Sequence, residues 1–357
     1  MSERINPIPV LTWNHMHVNE AHPGTKLPEL PQNGCGMADV RVSVLPECIK
    51  TAQCEDERCA SIATGCGEAV DSFIRNNANT SLFMELDGEA EGPVYITKKL
   101  SKDAPYAVTH LSLYAKKGSK ATFIVTSEST DENEGLDATL FTVYAEDDAD
   151  IKIVHIQMLN DASRSYNAAG YINENNSHVE LVRAEVGSGV IVSGSYALLE
   201  GRASSYDTYT VYFGENSDLL DFNDVSVHTG CETLSEIHAN GVLKDRAVKA
   251  LKGTIDFKKG AKRSIGHESD DVLMLSPTCI NRTAPIILCA EEEVEGQHAS
   301  TIGRLNDEML YYIQSRGISV EQAQKMMVEA RFATILDRVP DENIKDAVLE
   351  YVGRKLD

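Results

Sequence analysis

Soft ligands are the first chemistry this sequence offers. It holds eight cysteines and ten histidines, and seven of these side chains fall between His228 and Thr301: His228, Cys231, His238, His267, Cys279, Cys289 and His298. Thiolates and neutral imidazoles bind zinc, iron and iron–sulfur clusters. Stacked strands could bring such residues into one line, although any single one is more often a packed core residue. A second group, Cys48, Cys54, Cys59 and Cys66, spans 19 residues without a Cys-x-x-Cys pair. On one helical stripe these thiols are too far apart for a small metal site, so they read as buried structural cysteines. Glycan cleavage would need paired carboxylates, for which Asp147, Asp148, Asp150, Asp270 and Asp271 could serve. Acids are so common here that a solvated surface explains them better. The chain has no Walker A loop, no Gly-x-Gly-x-x-Gly after a strand, no His-Glu-x-x-His and no Gly-x-Ser-x-Gly.

Charge narrows the partners. Acids outnumber bases 55 to 33, for a formal net charge of −22, and no dense basic patch interrupts them. That argues against nucleic acid and anionic membrane surfaces as main partners. No run approaches the roughly 18 apolar residues of a membrane span. The first residues lack the apolar core of a signal peptide. The expectation is a cytoplasmic protein with free thiols.

The elements that must position these residues fall into three parts. Residues 1–81 begin as a Pro-rich arm with short strands, and 47–77 are spaced for one amphipathic helix that stops at Asn76-Asn77. From 82 to 303 short runs alternate with period two, as in Ala121-Thr-Phe-Ile-Val-Thr and Asp150-Ile-Lys-Ile-Val-His. Such runs are half-buried strands. A small residue after a turn recurs at Ala121, Ala149, Ser177 and Ala203, at steps of 28, 28 and 26 residues. That period indicates stacked coils, a β-helix, against the alternative of a β-sandwich with evenly spaced hairpins. Residues 304–357 are helical. Asn306 caps a first helix, Gly317 closes it, Ser319 to Gln322 form a capping box, and a third helix follows Pro340.

Residues 296–317 carry a resemblance. They include His298-Ala299, Ile302-Gly303, an acidic pair before Leu310-Tyr311-Tyr312, and Ser315-Arg316-Gly317. Asp271-Val-Leu-Met-Leu, Thr283-Ala-Pro285 and Ile62-Ala-Thr-Gly-Cys-Gly-Glu join the same pattern. Together these resemble the SufB/SufD scaffold proteins of the SUF iron–sulfur cluster assembly system. The resemblance implies a mainly β fold: a right-handed parallel β-helix between an N-terminal helical and extended segment and a C-terminal helical domain. It implies a scaffold rather than an enzyme, with a transient iron–sulfur cluster as its cargo. It also implies a separate SufC-type ABC ATPase docked on the tail, and a homodimer or heterodimer formed through the β-helices.

Within that resemblance the principal SufB cysteine falls on Asp270. The later SufB glutamate falls on His298, where SufD-type proteins also carry histidine. The candidate cluster ligands are therefore His298, Cys289 and Cys279. The candidate ATPase contacts are Leu310, Tyr311, Tyr312, Arg316, Gly317, Met326 and Met327. A chain cut before residue 304 is expected to keep its β-structure and lose the ATPase. The remaining alternatives are a cluster-free regulatory subunit and a carbohydrate-active solenoid.

Overall fold

The computed structural model describes residues 4–12, 14–31, 36–304 and 307–356, without the side chains of 307–310. After two short 3-10 turns (Asn14–Met16 and Pro23–Thr25) come two strands and two short helices: β1 (Val40–Val42), β2 (Ile49–Ala52), α1 (Glu57–Ala60) and α2 (Glu68–Asn77). The single helix expected over 47–77 is therefore broken. Ile49–Ala52 pairs with a neighbouring strand, and Gly67, at φ +87°, turns the chain into α2, which ends at Asn77 as its asparagines indicate.

Sixteen strands follow. They are β3 (Thr80–Leu86), β4 (Val94–Leu100), β5 (Tyr106–Ala115), β6 (Lys120–Ser129), β7 (Leu136–Ala145), β8 (Asp150–Met158), β9 (Arg164–Asn173) and β10 (His178–Glu185). The second half comprises β11 (Val190–Leu199), β12 (Ser205–Gly214), β13 (Leu219–His228), β14 (Leu234–Leu243), β15 (Val248–Phe257), β16 (Ile265–Met274), β17 (Ile280–Cys289) and β18 (Glu295–Arg304). From β3 on, each strand pairs in parallel with the strand two places along. Odd-numbered strands build sheet A and even-numbered strands build sheet B. The chain is thus a flattened parallel β-solenoid of about eight turns.

Strand register corrects the expected repeat markers. Equivalent positions are Ser119, Ala149, Ser177, Ser204, Thr233 and Ser264, so one coil takes 27 to 31 residues. Ala149 and Ser177 were legible, whereas Ala121 and Ala203 are not the aligned residues. These small residues are buried just before a sheet B strand. Their hydroxyls answer local carbonyls: Ser177 Oγ donates to Glu174 O at 2.8 Å and Ser204 Oγ to Gly201 O at 2.9 Å.

The neighbouring turn residues form a second ladder. Gly118, Asp148, Asn176, Ala203, Glu232 and Arg263 all have positive φ. Each donates its backbone N–H to a turn carbonyl of the next coil: Asp147, Asn175, Arg202, Cys231, Lys262 and Glu293 in turn. A left-handed conformation is costly for a residue with a Cβ. Here it aims a donor along the solenoid axis at every step.

Both outer faces are covered. The N-terminal segment lies on sheet A, where Cys66, Val70 and Ile74 pack against Val108, Leu140 and Tyr166. Approach there is at backbone distance: a Cβ on Gly194 would lie 2.7 Å from the Gly65 carbonyl carbon. Gly194 therefore serves contact between segments rather than a bend. After α3 (Asp307–Ser315), α4 (Val320–Leu336) and α5 (Glu342–Leu356) lie on sheet B. Val328, Phe332, Ile335, Val348 and Val352 close over Ile124, Val154, Val182 and Phe213. The expected Ser319 capping box opens α4, while Asn306 lies outside the described residues.

The last coil is different. Among the described residues neither β17 nor β18 has a further strand beyond it, and β18 is exposed along nearly its whole length. No described helix is long and apolar enough to cross a membrane.

Candidate functional site

Parallel register decides which way each side chain of the open coil points. Paired residues in neighbouring parallel strands face the same side of the sheet. His298 pairs with Glu268, and Ser300 pairs with Asp270. Glu268 and Asp270 are buried between the sheets, at 3% and 1% exposure. His298 and Ser300 therefore continue the inward-facing rows of the solenoid, but on a strand with nothing stacked above it. His298 is the fourth residue of β18.

Beneath this mouth runs a polar interior that a hydrophobic-core picture does not anticipate. Asp270 accepts hydrogen bonds from Lys249 Nζ, from Thr283 Oγ1 at 2.6 Å and from Tyr212 OH at 3.1 Å. Burial pulls the Lys249 ammonium below its ordinary pKa, against the pull of Asp270. Deeper in, Arg183 Nη2 meets Asp224 at 2.6 Å. Near the first coil, Lys98 Nζ meets Asp137 at 2.6 Å, and Ser127 Oγ bonds the second oxygen of that carboxylate at 2.6 Å. Each buried charge thus has a counter-charge and further hydrogen bonds, the condition under which burial is tolerated.

Glu268 is the exception. Neither carboxylate oxygen has a hydrogen-bond partner, although both are buried. Burial, reinforced by Asp270 and Asp224, pushes its pKa up to about 8. Room for this carboxyl exists because residue 253 on the facing sheet is glycine. A Cβ there would lie 2.1 Å from Glu268 Oε1.

The three candidate ligands do not converge. Cys279 sits in the turn between β16 and β17, 5% exposed, donating its thiol to Ser276 O at 3.0 Å. Burial raises its pKa, which disfavours the thiolate. Cys289 ends the same strand, exposed, with its thiol on Glu291 O at 3.0 Å. Ten strand residues at about 3.3 Å each put the two cysteines roughly 30 Å apart. Cys289 and His298 do share the open coil, on either side of the turn at 290–294. Among the described residues, no three His, Cys, Asp or Glu side chains are gathered to hold a metal.

The tail residues separate similarly. Tyr311, Tyr312 and Met326 are exposed by 75%, 58% and 57%. Arg316 donates to Tyr312 OH at 3.0 Å and lies over its ring. Gly317, at φ +83°, closes α3 as expected. Met327 instead packs with the cluster that holds α4 on sheet B. The Leu310 side chain lies outside the described residues. Cutting at residue 304 would strip that cluster from sheet B and uncover Ile124, Val154, Val182 and Phe213.

Glu268 was not singled out from sequence. Its only signal is alternation in His267-Glu-Ser-Asp-Asp, which shows two acids on one face but not that one of them lacks a partner.

Comparison with known proteins completes the description. Residues 97–331 match the family described as SUF system FeS cluster assembly, SufBD core domain. The iron–sulfur cluster assembly protein SufD of Bacillus subtilis is 25% identical over 282 residues, covering 78% of this chain and 64% of the relative. Its namesake from Escherichia coli is 25% identical over 261 residues, covering 69% and 58%. An iron–sulfur cluster assembly SufBD family protein of Galdieria sulphuraria is 24% identical over 188 residues, covering 53% and 85%. The match thus spans less than two thirds of the length of the two SufD relatives.

Proposed function

The chain belongs to the SufBD core family of the SUF iron–sulfur cluster assembly system, and on that premise we propose that it is a scaffold on which clusters are assembled, working with a SufC-type ABC ATPase in the cytoplasm. The observation that carries this reading is the uncovered last coil with His298 in its inward row. A bare strand edge is a template for pairing and is normally covered. Here β17 and β18 are left for a second SufB/SufD-type subunit, either another copy of this chain or a homologue. Pairing encloses His298 between the subunits, where its imidazole is a ligand for cluster iron. Cys289, on the same coil, is a secondary candidate, and Cys279 drops out because its thiol is buried at the far turn.

The ATPase docks on the tail. Tyr311, Tyr312 and Met326 are exposed, and Arg316 bonds Tyr312 OH; these are residue types enriched at protein interfaces. Asp270, tied to Lys249, Thr283 and Tyr212, holds the interior together where SufB-type relatives resemble one another in a cysteine.

Anaerobic reconstitution with iron and sulfide, with and without the ATPase, tests the reading by absorption spectroscopy. Cluster absorption is expected from the parent complex, and a several-fold loss from His298→Ala with dimer and ATPase still bound. The double substitution Tyr311→Ala, Tyr312→Ala is expected to release the ATPase. Unchanged cluster yield in His298→Ala overturns the ligand role. No cluster from any combination of subunits overturns the scaffold.

A further inference from the structure

The unpartnered carboxyl of Glu268 has no structural role to explain it. Every other buried charge described along the axis is neutralised by a neighbour. Glu268 is 3% exposed, has two unpartnered oxygens, and occupies space that Gly253 leaves open. Such a group costs stability and would be expected to disappear unless something binds it. Its place in the fold indicates what does. It is the register partner of His298, one strand further in, on the same inward face. Neighbouring strands lie about 4.8 Å apart, so a carboxylate and an imidazole on paired residues can reach one ion between them.

We propose that Glu268 and His298 form a two-residue foothold for a ferrous ion at the mouth of the solenoid. One imidazole nitrogen and one carboxylate oxygen suit a divalent first-row metal better than a sulfide-rich cluster, which prefers thiolates. This proposal rests on the scaffold reading above and extends it: iron arrives as a single ion, held by this pair, before any cluster exists. Glu268 is the inner ligand and His298 the outer one. The exposed strand β18 puts His298, the outer ligand, in contact with solvent, whereas the ion pairs at Asp270 and Asp224 lie in the interior below. Lys249 is occupied by Asp270 and so does not compete for Glu268.

The test uses the full chain without sulfide. Ferrous iron is titrated anaerobically and followed by calorimetry, and Mn2+ is titrated in parallel and followed by the loss of its free-ion paramagnetic signal. The parent is expected to bind about one ion per chain. Glu268→Gln and His298→Ala should each weaken binding at least tenfold, while Glu292→Gln, at an exposed turn acid, changes nothing. Thermal melts matching the parent exclude unfolding as the cause. Glu268→Asp, which keeps the carboxylate on a shorter stem, should weaken binding less than Glu268→Gln.

Parent-like binding by Glu268→Gln overturns the inference, as does a parent that binds neither ion. So does an Asp variant weaker than the Gln variant. None of these results touches the scaffold reading, which stands or falls on cluster reconstitution. Conversely, ion binding that depends on Glu268 in a chain that never yields a cluster keeps the foothold and removes the scaffold.

Discussion

The two ends of the solenoid are built from the same coil and finished in opposite ways. At the first end, β1 folds back antiparallel on β4, and β2 does the same on β3, so both sheets are sealed by reversed strands. The interior there is apolar or fully paired: Leu86 and Ile96 are buried, and Asp137 has Lys98 and Ser127. At the last end no described strand reverses. Ile280 and Ile302 are exposed by 44% and 56%, and Glu268 lies unpaired one strand below. Reversal of the strand direction is what ends a parallel stack, and among the described residues no reversed strand covers β17 or β18. The sealed end and the open end are therefore distinct places on one repeat.

The contrast can be broken most sharply by changing one buried carboxylate at each end. Asp137→Asn leaves the Lys98 ammonium buried beside an amide and should cost about 3–5 kcal/mol. Glu268→Met removes an unpartnered polar group and should raise the stability of the isolated chain by about 1–3 kcal/mol. Urea unfolding of the two variants checks both signs, and destabilisation by both would erase the distinction. A smaller effect belongs to the edge itself. Ile302→Glu should weaken subunit pairing at least tenfold in sedimentation, with the melting of the unpaired chain unchanged.

The smallest effect lies midway between the ends. On the outer face of sheet B, His178 sits 3.2 Å from both Asp150 and Asp207, and its pKa is raised to about 9. Burial opposes that rise and the two carboxylates outweigh it. A raised histidine stabilises the fold fully below its unfolded value near 6.5, and the benefit is lost as pH climbs through 9. The side chain is a third exposed, so screening limits the gain to about 1 kcal/mol or less. His178→Gln should flatten the pH dependence of stability between pH 6.5 and 9, and an unchanged slope would assign it to other groups.

Much of the repeat was legible because a solenoid writes its period into the chain. Ala149 and Ser177 stand at equivalent places, and alternation along β8 or β18 shows which residues share a face. What stayed hidden depends on pairing across coils. The marker at Ala121 missed Ser119 by two residues, a shift that keeps the sheet face and so leaves no trace in the alternation. Residues 49–52 looked helical because an apolar residue every few positions serves either period over so short a run. Cys279 and Cys289 both stood among the candidate ligands, yet a ten-residue strand separates them. His298 could be placed by resemblance, but Glu268 becomes visible only when β16 is laid beside β18.

The ladder of left-handed turns has a mechanical consequence. Its hydrogen bonds all run parallel to the axis, alongside the two sheets whose bonds do the same. A load applied at one end is shared at each step by two strands and a turn, and no step can yield without breaking many bonds together. The body is a stiff rod, and α4 and α5 are fixed along its side by Phe332, Ile335 and Val348. A load on the side of such a rod is expected to move it as a whole rather than to dissipate within the coils.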